Sequence, residues 1–186
     1  MPSIPEATPR PALAFLFPIP LDNPHYLSYL DSYPKTQNKM QTFLPCQSFQ
    51  ESAQALDNRR LNKQRVECLQ IYNTLTHTSD GWQHHPAVKM WRNAEALLCL
   101  YAVKICEECD ARGIADNKKL RERFLEAMLT HEFKIPFWWS EPTHKNKITH
   151  THRCNLLRKD YIHYATVFPD VPVSEIFVTN YYWPVR

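Results

Sequence analysis

The sequence predicts an all-α protein: a compact bundle of three to four helices with a long aromatic loop, an irregular C-terminal tail and an extended N-terminal arm. Three observations predict it. Apolar residues recur at steps of three and four along most of the chain. Gly81 and Gly113 are the only glycines, which argues against hairpin-rich β-structure. No segment shows firm period-two alternation, and residues 175–179 are the weak strand candidate. With 186 residues, 44% of them hydrophobic, the chain is long enough for a packed core and too apolar to stay disordered.

Residues 1–39 read as the arm. They hold eight of the 15 prolines, and their charges cancel: Arg10, Lys35 and Lys39 against Glu6, Asp22 and Asp31. One helical turn is expected near residues 25–33. Residues 40–186 form the helical domain and carry the whole formal charge of +3. Its first helix is expected over 49–76, re-capped near Asp57, with Leu61, Cys68, Tyr72 and Leu75 facing inward. The second runs between Pro86, a good first helical residue, and Gly113, a good terminator, with Trp91, Ala94, Leu98, Tyr101 and Ile105 in phase. The third takes Asp116 as N-cap and turns Leu120, Phe124, Ala127 and Met128 inward. An aromatic loop, 133–142, carries Phe137, Trp138 and Trp139. A shorter helix over 145–164 follows, and an irregular tail, 169–186, closes on Tyr181, Tyr182 and Trp183.

Several classes are excluded. Two isolated glycines cannot make a dinucleotide fingerprint or a P-loop. No run of 18 apolar residues exists, so no membrane-spanning helix and no membrane partner are expected. The stretch ALAFLFPIP (12–20) lacks a basic n-region, contains two prolines, and is followed by no small-residue cleavage site, so secretion is not expected. The six cysteines show no disulfide-scaffold spacing. A reduced, intracellular protein, cytoplasmic or nuclear, is expected. A charge of +3 is too mild to identify a nucleic-acid binder by itself.

The most informative segment is LDNRRLNKQRVE (56–67). Helical spacing puts Arg60, Lys63, Gln64 and Glu67 on one face. One carboxylate among several cations should have a lowered pKa. This stripe is either a solvated face with i,i+4 pairs, or an anion-binding surface with one acid/base group embedded in it. Further basic groups occur at Lys118, Lys119, Arg121 and Arg123, and at Lys145, Lys147, Arg153, Arg158 and Lys159. With Arg59, Arg60, Lys63 and Arg65 they make either a phosphate-tracking surface or ordinary solvated helix faces. The aromatic tips Trp138–Trp139 and Tyr181, Tyr182 and Trp183 either stack on bases or close the core. His84 and His85 open the second helix, as a cap or as a contact for a phosphate or an extruded nucleotide. His150, His152 and Cys154, with Cys106-x-x-Cys109, lack structural-zinc spacing, and no metal is expected.

The order Leu56, Leu61, Gln64, Glu67 resembles the first long helix of the pyrimidine-dimer DNA glycosylase (endonuclease V) family. The run ECDARG (108–113) resembles the end of that family's second helix, and His85 precedes it where members place a histidine. The phrases QTFLP (41–45), LDNRRLNKQRVE (56–67), GWQHHPAVKMW (81–91) and LLRKD (156–160) are similar to a bacterial-type branch. The resemblance covers about residues 40–186. It implies excision of a pyrimidine dimer from double-stranded DNA, followed by cleavage at the abasic site. An N-terminal backbone amine attacks the sugar C1′ to form a Schiff base, and a glutamate stabilises the sugar cation and handles protons. That glutamate corresponds to Glu67, and the amine to Gln41 if the mature chain begins there. Gln64, Arg59, Arg60, Arg65, His84, His85, Arg158, Lys159, Tyr182 and Trp183 are the expected DNA-binding residues. No cofactor is required, and no obligate protein partner is inferred.

Two positions depart from the family pattern. The arginine directly before the glutamate is Val66 here, with Arg65 one position earlier, about 100° away around the helix. The family's chain start falls at Met40, whereas this sequence begins at Met1. Lys63 is an alternative amine one turn before Glu67. Two further functions remain open: a non-catalytic nucleic-acid-binding module on the same scaffold, and a protein-interaction domain that uses the arm.

Overall fold

The structure, a computed structural model, describes residues 41–79 and 81–185. The chain divides into two units, Met1–Asn38 and Lys39–Arg186. The arm and its expected turn near 25–33 lie outside the described residues. Among the described residues there are nine helices and no strand: α1 (Phe49–Ala55), α2 (Asn58–Leu75), α3 (Pro86–Trp91), α4 (Glu95–Ala111), α5 (Lys118–Thr130), α6 (Phe137–Ser140), α7 (Pro142–Lys159), α8 (Tyr161–Val167) and α9 (Val173–Ile176). The all-α bundle expected from periodicity is the observed one. None of these helices is long and apolar enough to cross a membrane, and none of the six cysteines is bridged.

Helix α4 is the centre of the bundle. Leu97, Leu98, Tyr101, Ala102, Ile105 and Cys109 are all buried, and α1, α2 and α5 pack around it. Helix α7 gathers α6, α8 and α9. The break between α1 and α2 falls where Asp57 promised it. Its side chain accepts the Arg60 N–H (3.0 Å), one of the donors in the first turn of α2 that has no partner within the helix, and also takes the Arg60 guanidinium and the Tyr164 hydroxyl (2.6 Å). Burial opposes ionisation of Asp57, but the hydrogen bonds from Tyr164 and Arg60 hold its carboxyl below the usual range. Asp57→Ala should therefore cost more than a simple cap, about 2–3 kcal/mol in urea denaturation, because Tyr164 and Arg60 lose their partner as well.

The second and fourth predicted helices are each interrupted. Between α3 and α4 the chain turns at Asn93, whose φ of 62° lies in the left-handed region that asparagine tolerates. The turn lets Trp91 face inward, ringed by Phe49, Tyr101 and Trp138. Gly113 ends α4 with φ 66°, as its place in the sequence suggested. The N-cap of α5 is Asn117 rather than Asp116. Asn117 is buried, and its Nδ2 donates to Asp110 Oδ1 (3.0 Å) and Ile114 O (2.9 Å), while Asp116 takes the Lys118 N–H (3.0 Å).

The aromatic loop contains the short helix α6 and closes the core. Trp138 is buried with its indole N–H on Met90 O (2.9 Å), and Trp139 stacks on Phe49 at 4.5 Å. Base stacking is thus removed as a role for Trp138. The next helix begins earlier than expected, at Pro142, and stops at Asp160, which caps α8. The weak strand candidate at 175–179 is overturned, since helix α9 ends there and a turn follows.

Candidate functional site

Residues 41–45 run through the interior without regular structure, and all five are buried. Buried backbone groups need partners, and here side chains from three helices supply them. Gln64 of α2, wholly buried, accepts the Phe43 N–H at 2.9 Å and donates to Gln41 O at 2.9 Å. Tyr101 of α4 donates its hydroxyl to Phe43 O (2.7 Å). His152 of α7 accepts the Leu44 N–H on Nδ1 (2.8 Å), and Arg153 donates to Pro45 O (2.7 Å). The indole of Trp91 donates to the Thr42 hydroxyl (3.1 Å). At the head of the segment, the backbone N–H of Gln41 donates to the carboxylate of Glu67.

Glu67 is the centre of the site and only 4% exposed. The expectation of a lowered pKa is overturned. Burial dominates and pushes Glu67 up to about 7, against the opposing pull of Lys63, the Gln41 N–H and Lys159. Lys63 Nζ lies 3.4 Å from Glu67 Oε1 with its side chain half exposed, so one edge of the site reaches solvent. Lys159, the last residue of α7, is held down to about 8 by burial and by Arg60, Lys63 and Arg158, with Glu67 opposing. A carboxyl and an amine with pKa values brought close together near neutrality is an arrangement suited to proton transfer.

The other expected site residues divide into two groups. Arg59 is exposed, and Arg65 is half-buried with its guanidinium on Asn62 (2.8 Å), so both offer charge at the surface of α2 itself. Arg60 is committed to Asp57, to Asp160 (3.6 Å) and to the face of Tyr164 (5.3 Å). Arg158 is committed to the carbonyls of Ile176 and Thr179, at 2.7 Å each. His84 is exposed, while His85 caps α3 by accepting the Ala87 N–H (3.1 Å). Tyr182 stacks on His144 and carries Lys147 Nζ over its ring at 4.5 Å, and Trp183 packs against Tyr181 and His152.

Sequence reasoning did not place Tyr181, Tyr101 or His152 against the 41–45 segment. Tyr181 donates to Gln41 Oε1 (3.2 Å) and packs on Phe43 and His152, which closes the site from the tail side. His152 is neutral, since burial pulls its pKa down to about 3. With Nδ1 accepting from Leu44, its proton sits on Nε2, which has no hydrogen-bond partner among the described residues. No local signal pairs these residues with the segment they support.

Gln64 is a positioning residue and not a surface DNA contact, because it ties Gln41 to α2 one turn before Glu67. Gln64→Ala should leave two buried backbone groups unpaired and a cavity, and lower stability by about 2–4 kcal/mol in denaturant titration.

Fold and site together define a small all-α protein built around a buried carboxylate that titrates near neutrality, with cations at its solvent edge. Residues 40–122 match the family described as pyrimidine dimer DNA glycosylase, and this supports the resemblance read from the α2 phrase. The match supports DNA-glycosylase chemistry at pyrimidine dimers, and with it a DNA substrate. It takes in the 41–45 segment, Glu67, α3 and α4, and ends within α5. No curated protein and no solved structure gives a significant match.

Proposed function

We propose that the protein removes damaged pyrimidines from duplex DNA and cleaves the resulting abasic site through an amine Schiff base, with Glu67 as the proton-handling carboxylate. The observation that carries this reading is the hydrogen bond from the Gln41 backbone nitrogen to Glu67. In a chain beginning at Gln41 that nitrogen is a primary amine, already beside the acid. An α-amino group has a pKa of about 7.7–8.0, so a useful fraction is unprotonated near pH 7. The amine attacks the sugar C1′ as the base departs, and Glu67 stabilises the cationic sugar and takes up or returns the proton. Arg59, Lys63 and Arg65 contact flanking phosphates, and the damaged step is unstacked at a cost of a few kcal/mol. Such a substrate places the protein inside the cell.

In the full sequence the Gln41 nitrogen belongs to a peptide bond, and that observation favours the second reading, a DNA-binding module without catalysis. Lys63 is then the exposed amine nearest Glu67. Borohydride trapping on abasic and dimer-containing duplexes separates these cases. The chain starting at Gln41 should give a covalent adduct. An adduct with the full chain that disappears in Lys63→Ala assigns the amine to Lys63. No adduct with either chain rejects the enzyme, and salt-dependent binding without cleavage leaves the module.

A further inference from the structure

We propose that His150, Cys154 and Glu175 form a zinc site that ties helix α9 and the start of the tail to helix α7. The ligand atoms of the three side chains all lie within 4.8 Å of one another. His150 and Cys154 are four residues apart on α7, so they project from the same face one turn apart. Cys154 Sγ is 3.7 Å from His150 Nε2, close to the separation of two ligands on one tetrahedral ion. Glu175, from α9, meets the same Nε2 at 2.6 Å through Oε2. A metal ion would replace the hydrogen bond between that imidazole and that carboxylate, with a small outward shift of two side chains free to move. His150 and Glu175 are 41% and 43% exposed, whereas Cys154 is buried. The third ligand is thus anchored in the core, and solvent can fill a fourth position.

The surrounding structure prepares the cluster. Arg158 clamps the carbonyls of Ile176 and Thr179, which fixes α9 against α7 with or without an ion. The Thr179 side chain hydrogen-bonds the Cys154 sulfur, a supporting contact of the kind that orients metal ligands. One thiolate, one imidazole and one carboxylate suit zinc and exclude magnesium and calcium, which take oxygen ligands. Binding converts the Cys154 thiol to a zinc-bound thiolate and releases one proton to solvent. The cysteine spacing Cys106-x-x-Cys109 and His152 take no part: both cysteines lie buried on α4, and His152 faces the 41–45 segment.

The test uses the full chain stripped with a chelator and titrated with Co²⁺ as a spectroscopic stand-in, then with Zn²⁺. A near-ultraviolet thiolate-to-cobalt charge-transfer band should saturate at one ion per chain and be displaced by zinc. Cys154→Ser should abolish the band and Cys46→Ser should leave it intact. Glu175→Gln, an exposed change that does not threaten folding, should weaken binding by about 10-fold or more. No band, a band that survives Cys154→Ser, or unchanged affinity in Glu175→Gln overturns the site.

Discussion

Glu67→Gln is expected to slow cleavage of an abasic or dimer-containing duplex by about 10²- to 10⁴-fold, with DNA affinity close to unchanged. Glutamine has the same shape and can still accept the Gln41 N–H, so the 41–45 segment keeps its anchor. What it lacks is the charge that stabilises a sugar cation and the proton that Glu67 exchanges near pH 7. Single-turnover cleavage reports the chemistry, and fluorescence anisotropy on the same duplex reports binding. Equal loss in both would make Glu67 a structural residue. Unchanged cleavage would remove it from the mechanism.

The same substitution should change how stability depends on pH. In the unfolded chain Glu67 titrates near 4.5, and in the folded chain near 7. Between those values the folded protein keeps a proton that the unfolded chain gives up. Raising the pH across this window therefore pulls the equilibrium toward unfolding, and the loss is complete above about pH 7. Its size is about 3 kcal/mol as an upper figure, with little reduction for solvent because the side chain is buried. Lys159 acts in the opposite sense and at higher pH. Its folded pKa near 8 lies below the ordinary 10.5, so stability rises with pH between them. The difference between wild type and Glu67→Gln in urea denaturation, followed from pH 4.5 to 7, isolates the Glu67 contribution. A flat difference would mean that water reaches the carboxylate.

Local rules made much of this molecule legible. Asp57 is followed three residues later by the amide it caps, and Gly113 stands where α4 needs a left-handed residue. Lys63 and Glu67 pair at the distance their spacing allows. The errors share a cause. The 56–67 stripe reads as solvated because a helix wheel contains nothing beyond the helix. Glu67 and Gln64 are buried by residues 41–45 and by Tyr181, which the helix pattern cannot supply. Arg60 read as a phosphate contact because two of the three groups that hold it, Tyr164 and Asp160, lie far along the chain from its neighbour Asp57. Asn93 interrupts a helix whose apolar period passes straight through the break, since the turn serves the placement of Trp91. At the proposed zinc cluster, sequence spacing pointed away from a metal, because Glu175 lies on a different element from His150 and Cys154.

The buried backbone of residues 41–45 also fixes an order of events during synthesis. This stretch leaves the ribosome before any of the described helices, yet two of its partners, His152 and Arg153, are translated more than a hundred codons later. Until α7 has emerged, the Leu44 N–H and the Pro45 carbonyl lack the side chains that pair them in the folded protein. A nascent chain that ends after α5 would therefore lack Lys159 beside the acid at position 67 and Tyr181 over Gln41. The pocket is completed only as the last third of the polypeptide docks, so a ribosome stalled before α7 would carry the helix that bears the acid but no working centre.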